Sequence, residues 1–228
     1  MSRSQRSDGP GGGGSRSGNG ILLCYAVREE VGSIAALRRT NVLVTGMGRR
    51  NASEGIQAEL ASTEYRLVLT CGFAGGLNPA LKVGAVVFSE DDGLGLSDSL
   101  LRLGAVPAAF HCARRVAVTA EEKHSLRRST GADAVEMESS VIRTICRNRN
   151  VPSATIRVIL DTADENLPLD FNALMTSHDK INYPKLIATL LGRPHKLFSL
   201  WRFQSNSILA RKELDRVLQG LLRDVGGR

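Results

Sequence analysis

A series of short apolar runs, separated by stretches of helical spacing, restricts this chain to a layered fold of strands and helices. Ile21-Leu22-Leu23-Cys24-Tyr25-Ala26 reads as a strand, and Glu29 to Leu37 follows with helical spacing through Val31, Ile34, Ala35 and Leu37. Val42-Leu43-Val44, the small-residue turn Thr45-Gly46-Met47-Gly48 and a helical stretch from Asn51 to Leu60 repeat the unit. Leu67-Val68-Leu69 and Ala85-Val86-Val87-Phe88 predict further strands. Alternation of this kind implies an α/β sheet.

Further along, Asp91 to Val106 reads as a loop, Arg115 to Thr119 as a strand, and Glu121 to Arg128 as a helix capped at or beside Thr119. Asp133-Ala134-Val135-Glu136-Met137-Glu138-Ser139-Ser140 runs into a helix carrying Val141, Ile142, Ile145 and Cys146. The strand Ala154 to Leu160 stops abruptly at Asp161-Thr162-Ala163-Asp164. From Ile181 onward the pattern predicts helices over Leu186 to Leu191, Lys196 to Ile208 and Leu209 to Val225. Three segments result: a Gly/Ser/Arg tail (1–20) too polar to order itself, a main domain (21–192), and a basic helical C-terminal extension (193–228) packing on or beside it.

Thr70-Cys71-Gly72-Phe73-Ala74-Gly75-Gly76-Leu77-Asn78-Pro79 follows the apolar run at Leu67. Glycines placed there predict a loop whose backbone N–H groups closely approach an anion or a ring. The plainer alternative is a tight turn that needs glycine for positive φ and binds nothing.

Charge separates the classes of partner. The net charge of +7 divides into +2 from residues 1–20 and +5 from residues 193–228, so residues 21–192 sum to zero. A neutral body lacks the basic patch that phosphate-backbone binding requires, which points away from nucleic acid and toward a small-molecule ligand. Cys24, Cys71, Cys112 and Cys146 show none of the short pair spacings of zinc sites, and no metal is implied. Buried, reduced thiols fit a cytoplasmic protein. No run reaches the length of a membrane helix, and residues 1–20 lack the apolar stretch of a signal peptide. Leu197, Phe198, Leu200, Trp201 and Phe203, set among Lys196 and Arg202, either pack on the body or another subunit, or lie on a membrane surface.

Side chains at the carboxyl ends of strands line the ligand crevice of open α/β sheets. Glu30, Glu138 and Asp161 occupy such places. Were the substrate an N-glycoside of ribose, its cleavage would need an acid for the leaving base, a group on the ribose hydroxyls and an activated nucleophile. Asp161, Glu138 and Glu30 supply one carboxyl each. Each also has a structural reading: Asp161 as a cap, Glu138 as an anion in a helix first turn, and Glu30 as a solvated helix face.

The three stretches Thr70 to Leu77, Ala134 to Ser139 and Arg157 to Asp164 resemble, in order and type, the signature stretches of the nucleoside phosphorylase and nucleosidase superfamily. The resemblance covers about residues 21–165. Ala26-Val27-Arg28-Glu29-Glu30-Val31 is similar to the start of methylthioadenosine/S-adenosylhomocysteine nucleosidases, where the last glutamate before the valine activates water. The Gly72 to Leu77 form, the turn from Thr45 to Ala52 and the helical end with Arg193-Pro194 resemble the hopanoid-associated phosphorylase branch, taken to convert adenosylhopane to ribosylhopane and adenine.

The resemblance implies a mixed, twisted central sheet surrounded by helices, in a homo-oligomer, acting in the cytoplasm or at the inner membrane face. It implies Asp161 as the acid at purine N7, Glu138 on the ribose hydroxyls, Met137 against the sugar, and Glu30 as activator of water. Phe73 and Ala74 flank sugar and base, with Gly75 beside them, although Phe73 replaces the serine common in the nucleosidases. No cofactor is implied beyond inorganic phosphate as a co-substrate, for which Gly46, Gly48 and Arg49 are the candidate cradle, with Arg50 and Arg28 as further cations. Glu30 would repel a dianion, which favours hydrolysis over phosphorolysis. The alternatives are a general methylthioadenosine/S-adenosylhomocysteine nucleosidase or purine nucleoside phosphorylase, and a silent nucleoside- or lipid-surface-binding protein.

Overall fold

The computed structural model describes residues 20–36, 40–174 and 196–226. The helix expected over Leu186 to Leu191 and the boundary at residue 193 lie outside them.

A single mixed sheet organises the chain. Strands β1 (Gly20–Tyr25), β2 (Thr40–Val44), β3 (Tyr65–Gly76), β4 (Val86–Glu90), β5 (Val106–Pro107) and β8 (Ser153–Asp161) run in the order β2-β1-β3-β8-β4-β5. The first four strands of that order are parallel, and β4 is antiparallel to β8. Two short strands, β6 (Phe110–Cys112) and β7 (Ala134–Glu136), branch from the far end of β3, where Gly75 and Gly76 pair with Val135 and Ala134. The expected α/β architecture, with helices around a mixed sheet, is the one observed.

Helices cover both faces. On one, Ile56 of α1 (Arg49–Ser62) and Ile142 and Cys146 of α4 (Ser139–Asn148) pack with Leu22, Cys24 and Val68. On the other, Leu23, Leu69 and Ile156 meet Leu100 of α2 (Ser97–Arg102) and a long helix, α6 (Lys196–Gly226), which inserts Ala210, Leu214, Val217, Leu218 and Leu221. The period-2 alternation of β3 sends Leu67, Leu69 and Cys71 to the α6 side and Val68 to the other. Two further helices among the described residues are α3 (Ala120–Thr130) and α5 (Phe171–Leu174). No described helix is long and apolar enough to cross a membrane.

Several expectations need correction. The glycine stretch is no loop: Thr70 to Gly76 continue β3, because β8 and β7 supply ladder partners as far as Gly76. Glu29 to Leu37 forms two 3-10 turns, Arg28–Glu30 and Ser33–Ala36, rather than one helix. Asp91 to Val106 contains α2, stapled by Glu90, whose carboxylate accepts from the Leu96 and Ser97 amides. Arg115 to Thr119 forms no strand, and β6 takes the place beside β7 instead. Lys196 to Ile208 and Leu209 to Val225 are one continuous helix, for no glycine or proline interrupts them before Gly220. All four cysteines are unpaired, and Cys112 is only half-buried.

Candidate active site

The site is built at the carboxyl ends of β1, β3 and β8. Gly72 explains why the strand is glycine-rich: its φ is 136°, and a Cβ there would stand 2.7 Å from both Arg157 Nη1 and Glu30 Oε1. A Cβ on Gly75 would lie 3.5 Å from Asp161 Oδ2, and one on Gly76 3.2 Å from the Asp161 carbonyl. The glycines therefore permit close approach of acidic and guanidinium side chains to the strand backbone. The β3–β8 register slips between Ala74 and Gly75, so that Gly75 faces Asp161. An irregularity of this kind re-aims side chains at a sheet rim.

Glu30 closes the first 3-10 turn and is buried. Its Oε2 accepts from the amides of Ala26 (3.1 Å) and Val27 (3.3 Å), and its Oε1 from Phe73 (2.9 Å). A carboxylate oxygen has two lone pairs, so Oε1 retains one for a further donor. Burial pushes the Glu30 carboxyl above the usual range, against the opposing pull of Arg157 and the three amides.

Glu138 is the residue before α4, and its side chain turns inward, only 6% of the residue being exposed. Its Oε1 accepts from the Gly48 amide at 2.9 Å, and Oε2 lies 3.5 Å from Arg157 Nη2. Burial, reinforced by the neighbouring carboxylates Glu136 and Glu30 and offset by Arg157, raises its pKa to about 7.

Arg157 is the hub that the motif contains but that received no role from sequence. Fully buried in β8, it donates from Nη2 to Glu136 (2.7 Å) and from Nη1 to the Cys71 carbonyl (3.1 Å). Glu136 in turn accepts from the Glu138 and Ser139 amides and the Ser139 hydroxyl. One guanidinium thus compensates a cluster of Glu30, Glu136 and Glu138, whose attraction holds its own pKa above the usual value despite burial.

Asp161 ends β8 and is 8% exposed. Its carboxyl is pushed up by burial and pulled down by an ion pair with Lys123 of α3. Lys123 was not found from sequence, since a lone lysine in an amphipathic helix reads as solvated. The local structure buries it: Thr119 and Glu122 form a reciprocal capping box, Gly131 closes the helix at φ 70°, and Lys123 falls on the inward side.

The remaining expected residues divide. Phe73 is half-buried and packs toward the α6 side, whereas Ala74 points the other way, into a cluster with Leu81, Val87, Ala134 and Ile159. Met137 lies half-buried between β7 and α4. At the expected phosphate cradle both glycine amides are already engaged, Gly46 to the Ala26 carbonyl (3.0 Å) and Gly48 to Glu138. Arg49 is exposed at the start of α1.

Residues 105–191 match the family model described as the Phosphorylase superfamily. About nine-tenths of the chain matches solved nucleosidases in fold. Futalosine hydrolase of Helicobacter pylori matches with a TM-score of 0.66 at 14% identity, covering 90% of this chain and 98% of that one. S-adenosylhomocysteine nucleosidase from Streptococcus pyogenes gives 0.66 at 14%, over 92% and 99%. The 5'-methylthioadenosine/S-adenosylhomocysteine nucleosidase from Neisseria meningitidis gives 0.65 at 18%, over 90% and 99%. The fold is a nucleosidase fold.

Within that nucleosidase fold, Glu30, Glu138 and Asp161 stand around one strand end. Arg157 links the first two, and the Gly75–Asp161 pairing adds the third.

Proposed function

We propose that the protein hydrolyses the N-glycosidic bond of a purine nucleoside and releases the free base. The observation that carries this reading is the approach of Glu30 and Asp161 to Gly72 and Gly75 of β3, with Glu138 joined to the same place through Arg157. Relatives of the same fold hold adenine, in the Colwellia psychrerythraea nucleosidase, and methylthio-immucillin-A, in the Neisseria meningitidis one.

In this reading a water donates a hydrogen bond to Glu30 Oε1 and attacks C1′ as the C1′–N9 bond breaks. The bonding electron pair leaves on the purine, Asp161 delivers a proton to N7, and Glu30 takes the proton lost by the water. Glu138 Oε2 accepts from a ribose hydroxyl. A raised carboxyl pKa suits the acid role of Asp161, since more of it is protonated near neutrality.

Hydrolysis is favoured over phosphorolysis by two features. The Gly46 and Gly48 amides are occupied, and the buried carboxylates Glu30 and Glu138 would repel a phosphate dianion. For the 5′ substituent we propose the lipid-linked adenosine of the hopanoid-associated branch, with Trp201, 66% exposed on α6, touching the membrane surface.

The test is adenine release from adenosylhopane, methylthioadenosine and adenosine, each with and without phosphate. Release independent of phosphate, lowered about 10²-fold or more by Asp161→Asn, is expected. Phosphate-dependent release would overturn the hydrolytic reading, and no release from any nucleoside would overturn the enzymatic one. Preference for methylthioadenosine would overturn the lipid-linked substrate.

A further inference from the structure

Lys123 is a buried cation to which the proposed chemistry assigns nothing. It has no exposed surface, and its ammonium donates to the carbonyls of Thr162 (2.7 Å) and Glu165 (2.7 Å) as well as pairing with Asp161. The two carbonyls take two of the ammonium's three hydrogens, and its charge is left to the Asp161 carboxylate as an ion pair. Enclosing a lysine this way carries a large desolvation cost, which a purely structural position avoids by using an apolar residue.

The surroundings show what the cation holds. The turn after β8 is fixed by Thr162 N–H donating to Glu165 Oε2 and by Glu165 N–H donating to the Thr162 carbonyl. It is tied to the start of α3 through Asn166, whose Oδ1 accepts from the Ala120 amide, and Leu167, whose amide donates to Val118. Lys123 binds two carbonyls of that turn and the carboxylate at its head. Asp161 Oδ2 faces the ammonium, and Oδ1 carries no hydrogen bond among the described residues.

We infer that Lys123 is a positioning residue for the acid: it pins one oxygen of Asp161 so that the other is presented to the leaving base, and its charge sets the pH range over which Asp161 acts. This rests on the nucleosidase reading of the site. The charged groups facing Asp161 are Lys123 from α3 and Glu165 from the turn, and Glu165 is itself paired with Arg202 of α6 at 3.1 Å. His124, next to Lys123, pairs with Asp164 and leaves Lys123 the only cation on Asp161 among the described residues.

Two variants and two readouts test this. In Lys123→Gln the cation is gone, so the alkaline limb of the pH profile of kcat/KM moves up by about one unit or more, and kcat falls with KM little changed. In Lys123→Arg the charge remains but the placement of the ammonium between the two carbonyls and Asp161 does not, so the limb stays in place while kcat falls. An unmoved limb in Lys123→Gln overturns the electrostatic role. Should that variant fail to fold by circular dichroism, Lys123→Arg decides alone, and wild-type kcat there overturns the positioning role. Carbon-13 NMR titration of the Asp161 carboxyl, assigned with Asp161→Asn, gives the same shift without turnover. A protein that cleaves no nucleoside, yet whose Asp161 titration moves in Lys123→Gln, refutes the enzymatic reading while upholding the coupling, and an unmoved titration refutes the coupling.

Discussion

Asp215 of α6 accepts hydrogen bonds from both the amide (2.8 Å) and the hydroxyl (3.1 Å) of Ser33, 182 residues earlier in the chain. Gln219, one turn further on, donates to the same hydroxyl. Ser33 lies three residues after Glu30, so the C-terminal helix holds the segment that carries the proposed base. Gly32 is required there, because a Cβ would run into the Asp215 carboxylate. Asp215→Ala should cost about 0.5–1.5 kcal/mol of stability and lower kcat. Gly32→Ala should do the same, and the double variant should cost less than the sum, since removing the carboxylate relieves the clash. Urea denaturation and steady-state kinetics of the four-member cycle check this. Full additivity would refute it.

Gly72→Ala should be the most damaging glycine substitution in β3. Its backbone strain alone costs about 1–3 kcal/mol, and the new methyl must displace Glu30 or Arg157. Thermal unfolding should show the loss together with near-complete loss of activity.

Removing Arg157 should unfold the site. Arg157→Leu leaves Glu136 and Glu138 buried without their cation, at a cost of about 3–5 kcal/mol. Part of that loss should be recovered by adding Glu136→Gln, which a denaturation cycle measures.

Glu138 gives a pH dependence of defined sign. Its folded pKa of about 7 lies above the ordinary carboxylate value, so the folded state binds the proton more tightly than the unfolded state does. The Glu138 contribution therefore stabilises at low pH, is lost as pH rises toward about 7, and is flat above. Asp91 and Asp133 act oppositely: burial opposes them, but hydrogen bonds from Arg143 and Ser153, and from the Ala109 amide, Arg127 and Asn78, hold them below the usual range, so their stabilisation is lost in acid. Between about pH 5 and 7, Glu138→Gln should have a flatter stability profile than the wild type. Nucleoside binding should weaken as Glu138 is protonated below about 7, seen as a rise in KM that the variant does not share.

The two aromatic residues of α6 should separate. Phe203 meets Phe171 in a tilted ring pair with centroids 5.6 Å apart and packs against the main core, so Phe203→Ser should cost about 1–3 kcal/mol. Trp201 is 66% exposed, so Trp201→Ser should weaken co-sedimentation with anionic liposomes. Unchanged co-sedimentation would remove the membrane contact.

The chain by itself determined what is local. Apolar runs predicted the strands from Ile21, Val42, Leu67, Ala85 and Ala154, because buried strands leave a periodic record that needs no tertiary context. A cap at or beside Thr119 announced the start of α3, and Glu30, Glu138 and Asp161 stood out as carboxyls at strand or helix ends. Tertiary structure alone decided the rest. Thr70 to Gly76 became strand because β7 and β8 flank them, and pairing partners distant in sequence are invisible in a local pattern. Arg157, Lys123 and Asp215 have the composition of surface residues. Only packing reveals that one neutralises a buried carboxylate cluster, one seats the end of β8 and one ties α6 to the Glu30 segment, because the energy of a buried or paired charge depends on neighbours brought together by the fold.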